Sequence, residues 1–187
     1  MGKEYSDEEL MLRYRDGDAA SFDQLYQRHK DMLYRYMLRQ CQNHSIAEEL
    51  YQDVWMKLIN ARENYQVKAK FTTYLFQMAH HRVIDHYRRN KIRAINSKTD
   101  DQHNPEFISL NANRQPDQKA DIENQVDRLL QLVDNLSSEQ RETFLLREDA
   151  GMTIDEIAQA TGVKPETAKS RLRYAVEKLR KSLGDTT

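Results

Sequence analysis

MTIDEIAQATGVKPETAKSRLRYAVEKLRKSLG, Met152 to Gly184, carries the pattern of two helices with a turn between them. Thr153 can cap the N–H groups that open a helix, and Glu156 completes the capping box three residues later. Ile154, Ile157 and Ala158 make that helix apolar on one side. The turn is Thr161-Gly162-Val163. Gly162 accepts a positive φ there, and Val163 can pack back between the two helices. Pro165 suits the first turn of the next helix, where its missing N–H is no loss. Ala168, Leu172, Ala175, Val176, Leu179 and Leu183 fall on one side of that second helix.

At about 100° per residue the other side carries Glu166, Ser170, Arg173, Tyr174 and Glu177, with Lys169 and Arg171 on its flanks. Lys164, Lys169, Arg171, Arg173, Lys178, Arg180 and Lys181 face only Glu166 and Glu177, a local balance of +5 in a chain of net charge -1. A short helix, a glycine turn and a long basic helix is the geometry that seats a helix in the major groove. Residues near its N-terminal end reach base edges, and flanking cations meet phosphates. The candidate contacts are Lys164, Glu166, Thr167, Lys169, Ser170, Arg171, Arg173 and Tyr174. A solvated basic helix would account for the charge alone, but not for the whole pattern from Thr153 to Gly184.

Working upstream, the chain reads as helix throughout. Of its 187 residues five are glycine and three proline, a composition that favours helices over sheets. Capping boxes open apolar periodic segments at Ser6–Glu9, Ser45–Glu48 and Ser137–Gln140 as well. The spacing predicts helices over about 7–16, 19–41, 46–60, 71–91, 122–136, 138–148, 154–160 and 165–183. Between Ala94 and Asp121 the sequence turns to Asn, Asp, Gln and Ser and loses its apolar face, which reads as a linker. The expected fold class is therefore all-α: two small helical domains joined by a flexible linker, with bounds at 1–93, 94–121 and 122–187.

Other classes find little support. Cys41 is the only cysteine, so neither an internal disulfide nor a cysteine zinc cage is available, and it reads as a small helix residue. No stretch approaches the roughly 18 apolar residues of a membrane span, and no signal peptide is evident, so a cytoplasmic protein without membrane contact is expected. His81, Asp85 and His86 cluster as metal ligands might, but no second ligand group appears and the surrounding arginines oppose a cation. No phosphate loop, nucleophile elbow or paired catalytic carboxylates are evident, so neither an enzyme nor a cofactor or metal site is expected.

Three N-terminal stretches carry more. They are DGDAASFDQLYQRH (Asp16–His29), SIAEELYQDVWMKL (Ser45–Leu58) and KFTTYLFQMAHHRVIDHYRRNK (Lys70–Lys91). With LSSEQRETFLLRE (Leu136–Glu148) and the helix-turn-helix, they resemble the extracytoplasmic-function (ECF) family of bacterial RNA polymerase sigma factors. The resemblance covers nearly the whole chain except the linker. It implies a region 2 that binds core polymerase and opens the −10 promoter element, and a region 4 that reads the −35 element. It also implies contacts with the clamp coiled coil of the largest subunit and with the flap, and relatives of this family are often held by an anti-sigma factor.

The residues make physical sense in those roles. On the 46–60 helix, Ala47, Leu50, Val54, Trp55 and Leu58 can face a core, which leaves Glu49, Gln52, Asp53 and Met56 on the outer face. In the family this helix docks on the clamp. From His80 to Arg93, Arg82, Arg88, Arg89, Lys91 and Arg93 outweigh Asp85, below the aromatics Phe71, Tyr74 and Phe76. Stacking rings beside a cationic track suit single-stranded DNA. Phe76 reads better as core. Lys70, Tyr74, His81, Arg82, Arg88 and Arg89 are the −10 candidates, and the loop 61–70 is where the family holds a flipped base. The family usually has Trp where Tyr74 stands and often Asn where His81 stands. Histidine there becomes cationic near pH 6–7 at its ordinary pKa. The expected function is a transcription initiation factor; a stand-alone helix-turn-helix regulator is the alternative.

Overall fold

The computed structural model describes residues 4–96 and 128–184. The stretch read as a linker falls mostly outside the described residues, as does the start of the helix expected from 122. The elements are α1 (Asp7–Arg15), α2 (Ala19–Cys41), α3 (His44–Ala61), a single 3₁₀ turn (Arg62–Asn64), α4 (Phe71–Asn96), α5 (128–134), α6 (Ser138–Glu148), α7 (Ile154–Thr161) and α8 (Pro165–Gly184). No strand occurs among the described residues.

Three of the four expected capping boxes form, at Ser6, Ser137 and Thr153. The fourth does not. α3 begins two residues early, and the Asn43 side chain, not Ser45, accepts the Ile46 N–H at 3.0 Å. Both residue types cap well. Position decides between them, because Gln42 turns the chain with a left-handed φ of 51° and leaves Asn43 extended at the helix mouth. α4 begins with a cap from outside its own segment: Glu8 on α1 accepts the Phe71 N–H at 2.7 Å. It also continues through Asn96, three residues into the stretch read as linker.

α1 to α4 form the N-terminal bundle. Leu10, Met11, Leu25, Leu33, Met37, Leu50, Val54, Leu58, Phe71, Leu75 and Phe76 are buried in it. Each large apolar side chain contributes about 1.5–3 kcal/mol by leaving water, taken against an extended chain. Cys41 is buried too, and burial pushes its thiol up to about 12, so it behaves as an inert helix residue. α5 to α8 form the C-terminal bundle. Val133, Leu136, Ala175 and Leu179 make one small cluster between α5 and α8. The small side chain of Ala168, fully buried, lies where α8 packs on α7. Gly162, at φ 68°, makes the turn between α7 and α8. Leu183, expected on the packed side, is 44 % exposed, because α8 outruns the helices beneath it.

The two bundles touch. α6 lies against α2, and α7 lies against α4. One contiguous apolar cluster includes Leu75 and Phe76 of α4 together with Ile157, Ala158 and Ala160 of α7.

Candidate nucleic-acid interface

The basic helix α8 presents the residues its periodicity assigns to solvent. Lys164, Glu166, Thr167, Lys169, Arg173 and Tyr174 are exposed, and Ser170 and Arg171 are half-buried. The Arg173 guanidinium lies over the Tyr174 ring at 4.8 Å, which holds the two side chains as one cationic and aromatic unit. Tyr174 is 51 % exposed, an amphipathic ring open to a partner.

The second group divides. Tyr74, near the start of α4, lines a cavity of about 270 Å³, while Lys70, just before that helix, is not in its wall and pairs with Glu156 at 2.7 Å. Asn64, Tyr65, Gln66, Lys68, Ala69, Thr73 and Gln77 line the rest of it, with Gln159 reaching in from α7. Tyr65 and Tyr74 pack ring to ring at 5.3 Å. The Tyr65 hydroxyl and the Thr73 Oγ1 are buried without a hydrogen-bond partner. A buried unpaired hydroxyl is costly, and both lie beneath the surface of the cavity. Burial raises the Tyr65 phenol to about 12, aided by Glu8, which keeps it a hydrogen-bond donor. Neither Tyr65 nor Thr73 was singled out from the sequence; only the loop 61–70 was. Phe76, by contrast, is core, as its spacing indicated.

His81, Arg88 and Arg89 are exposed further along α4. His81 lies about 10 Å from Tyr74 at 1.5 Å per residue. Burial, joined by the neighbouring charges of His80 and Lys57, draws the His81 imidazole below its ordinary value, with Asp85 opposing. Its positive charge is therefore harder to form than an ordinary histidine's. Arg82 is turned away from this track. Its guanidinium is held by Asp53 of α3, and Glu49 stands 3.9 Å away.

On α3, the apolar set Ala47, Leu50, Val54, Trp55 and Leu58 is buried. Glu49, Gln52, Asp53 and Met56 share the outer face; the Glu49 side chain is 63 % exposed and Met56 is 55 % exposed. Met56 thus stands exposed and apolar among acids and an amide.

Comparisons with known proteins agree with this organisation. Residues 25–92 match the Sigma-70 region 2 family, and residues 127–179 match Sigma-70, region 4. The chain is 28 % identical over 177 residues to the RNA polymerase sigma factor CarQ of Myxococcus xanthus, covering 94 % of this chain and 96 % of that protein. It is 30 % identical over 169 residues to the ECF RNA polymerase sigma factor SigL of Mycobacterium tuberculosis, covering 89 % and 90 %. Among solved structures it resembles CnrH, crystallised with the cytosolic domain of CnrY, at TM-score 0.68 and 19 % identity over 97 % of this chain and 99 % of that one. It also resembles the sigma factor RpoE of Bartonella quintana, crystallised with the anti-sigma factor NepR, at TM-score 0.69 and 20 % identity over 89 % and 98 %. A helix-turn-helix with a basic second helix, a helical bundle upstream and matches that span both place this chain among the ECF RNA polymerase sigma factors, as a transcription initiation factor that directs polymerase to promoters.

Proposed function

We propose that residues 1–93 act as region 2 and residues 122–187 as region 4, with 94–121 joining them. Region 4 reads the −35 element through the exposed side of α8, from Lys164 to Tyr174. Arg173, with Tyr174 against it, makes the central base or phosphate contact. Region 2 holds the separated −10 strand along α4. Lys70, Arg88 and Arg89 meet its phosphates, His81 donates a ring N–H, and Tyr74 stacks a base. Arg82 acts here as a positioning residue, since its charge is spent on Asp53.

The observation that carries this reading is the Tyr65–Tyr74 cavity at the head of a cationic helix. An aromatic wall beside a cationic track is what an unstacked base needs: a π-face and charges for its backbone. The Glu49, Gln52, Asp53 and Met56 face docks on core polymerase, at the clamp coiled coil of its largest subunit, and region 4 meets the flap. An anti-sigma factor is a candidate partner, as the Bartonella RpoE was co-crystallised with the anti-sigma factor NepR. The chain works in the cytoplasm and catalyses no reaction itself. Among the described residues no helix is long and apolar enough to cross a membrane.

A stand-alone helix-turn-helix regulator would use α8 but leave the α3 face and the cavity without a purpose. Mixing the purified chain with core RNA polymerase and a promoter library tests the choice. New start sites that depend on the chain are expected. DNA binding without any polymerase binding would favour the regulator.

A further inference from the structure

α1 grips the loop beside the cavity at both of its ends. Lys70 stands just before α4, and its side chain has no acceptor for the N–H groups that open that helix. Glu8 supplies one from α1: its Oε1 takes the Phe71 N–H at 2.7 Å. A carboxylate at that end also suits the helix dipole. At the other end of the loop, Arg15 donates through Nη1 to the Tyr65 carbonyl at 3.5 Å. The guanidinium of Arg62, in the 3₁₀ turn that leads into Tyr65, lies over the Tyr14 ring at 5.7 Å. Glu8 and Arg15 stand two turns apart on one side of α1, with the buried Met11 between them.

α1 is itself anchored. Asp7 takes hydrogen bonds from Arg28 and His29 of α2, each at 2.7 Å. Leu10 and Met11 are fully buried. The His29 ring in turn lies against Phe71, the residue that Glu8 caps, with centroids 5.1 Å apart. Between the two held ends, Gln66, Lys68 and Ala69 line the cavity; Thr73 and Tyr74 line it from the first turn of α4. Glu8 and Arg15 are not in its wall.

We propose that Glu8 and Arg15 are positioning residues for −10 recognition: α1 splints the loop 65–70, so that the cavity has its shape before a base arrives. This rests on reading the cavity as the −10 base site. A loop that must order itself on binding loses affinity to that ordering, and a loop held beforehand does not. Neither side chain needs to touch the base. The role falls on a helix that precedes residues 25–92, the part matched to region 2.

The test uses holoenzyme, the full-length chain on core polymerase. The probe is a labelled promoter selected from the library, duplex at −35 and single-stranded at −10. Each −10 base is removed in turn, which leaves an abasic site. At the position the cavity reads, removal should weaken native binding about tenfold, the worth of one stacked base. Glu8→Ala should cut that loss to about twofold at the same position, because protein and base changes that act on one contact are not additive. Losses at the other positions should stay as they are. Glu8→Gln keeps an oxygen for the Phe71 N–H and should stay within about twofold of the native loss. A Glu8 that only stabilises the fold would not single out one base. Thermal melting is followed on the same proteins. Where Glu8→Ala melts below the assay temperature, Arg15→Ala, at a half-buried side chain, repeats the test and should shrink the loss at that position too.

A loss that keeps its native size in the folded variant overturns the proposal. So does an equal fall at every −10 position, and so does a Glu8→Gln that behaves as Glu8→Ala. If no abasic site weakens the native holoenzyme, the base-site reading itself fails, and the native titration alone tells that failure from the others.

Discussion

Arg82 reaches from α4 to α3 and holds the Asp53 carboxylate through Nε, 2.7 Å from Oδ2, and through Nη2. The two residues stand on surfaces with different proposed partners, α4 facing DNA and α3 facing polymerase. Their pairing ties the outer face of α3 to the cationic helix, and the Asp53 side chain keeps 40 % of its surface open. A basic partner group arriving at Glu49 and Asp53 would compete with Arg82 for the same oxygens.

Changing Glu49→Lys together with Asp53→Lys should abolish competition for core polymerase. Duplex binding through α8, on the far bundle, should stay within about twofold, because distant sites act independently. Arg82→Ala alone should cost about 1 kcal/mol or less in urea unfolding, as partly exposed ion pairs do. Normal competition for core by the double variant would remove α3 from the docking surface.

Arg173→Ala removes an exposed side chain that lies over the neighbouring Tyr174 ring. Stability should hold, and −35 duplex binding should weaken by about 1–3 kcal/mol, the worth of one good base contact. Titration of labelled promoter duplex at fixed salt measures it. Unchanged affinity would move the reading residues elsewhere on α8.

Asn43 and Ser45 separate geometry from residue type. Asn43→Ala should cost about 1 kcal/mol, since it strips the Ile46 N–H of its acceptor. Ser45→Ala lies inside the helix and should change stability by less than about 0.5 kcal/mol. Paired denaturant curves decide it; equal losses would put the cap back at Ser45.

Asp7 predicts a pH dependence. Burial alone would raise its carboxyl, but hydrogen bonds from His29 at 2.7 Å and Arg28 at 2.7 Å outweigh it, and the result lies below the ordinary 3.8. A carboxyl depressed by folding stabilises the native state above its unfolded pKa. That contribution fades as pH falls through the native value, so the loss should appear from about pH 5 downward. Melting temperature followed into acid should fall less steeply for Asp7→Asn than for the native chain. Parallel curves would mean that Asp7 contributes nothing to acid sensitivity.

Much of this protein was legible before any coordinates. Apolar residues at three-and-four spacing fix which side of a helix leaves water, so α2, α3, α6, α7 and α8 could be placed to within about two residues, near the scatter of boundary assignment itself. The capping boxes at Ser6, Ser137 and Thr153 are local, three residues from donor to acceptor, and local chemistry reads directly from order. The exposed side of α8 and the Glu49–Met56 face follow from the same periodicity.

What periodicity encodes is that a face is covered, not what covers it. Glu8 capping α4 from 63 residues away is a product of packing. So are Arg82 turned onto Asp53 and the unpaired hydroxyls of Tyr65 and Thr73 around one cavity. The largest such decision is the seat of α6 and α7 on α2 and α4. Glu142 meets Tyr36 across 106 residues of chain and His80 across 62, and no local pattern announces either bond. Residue order is enough for the helices, their apolar sides and the resemblance to the family. Which charged groups spend themselves on each other follows from packing alone, because it depends on distances between surfaces far apart along the chain.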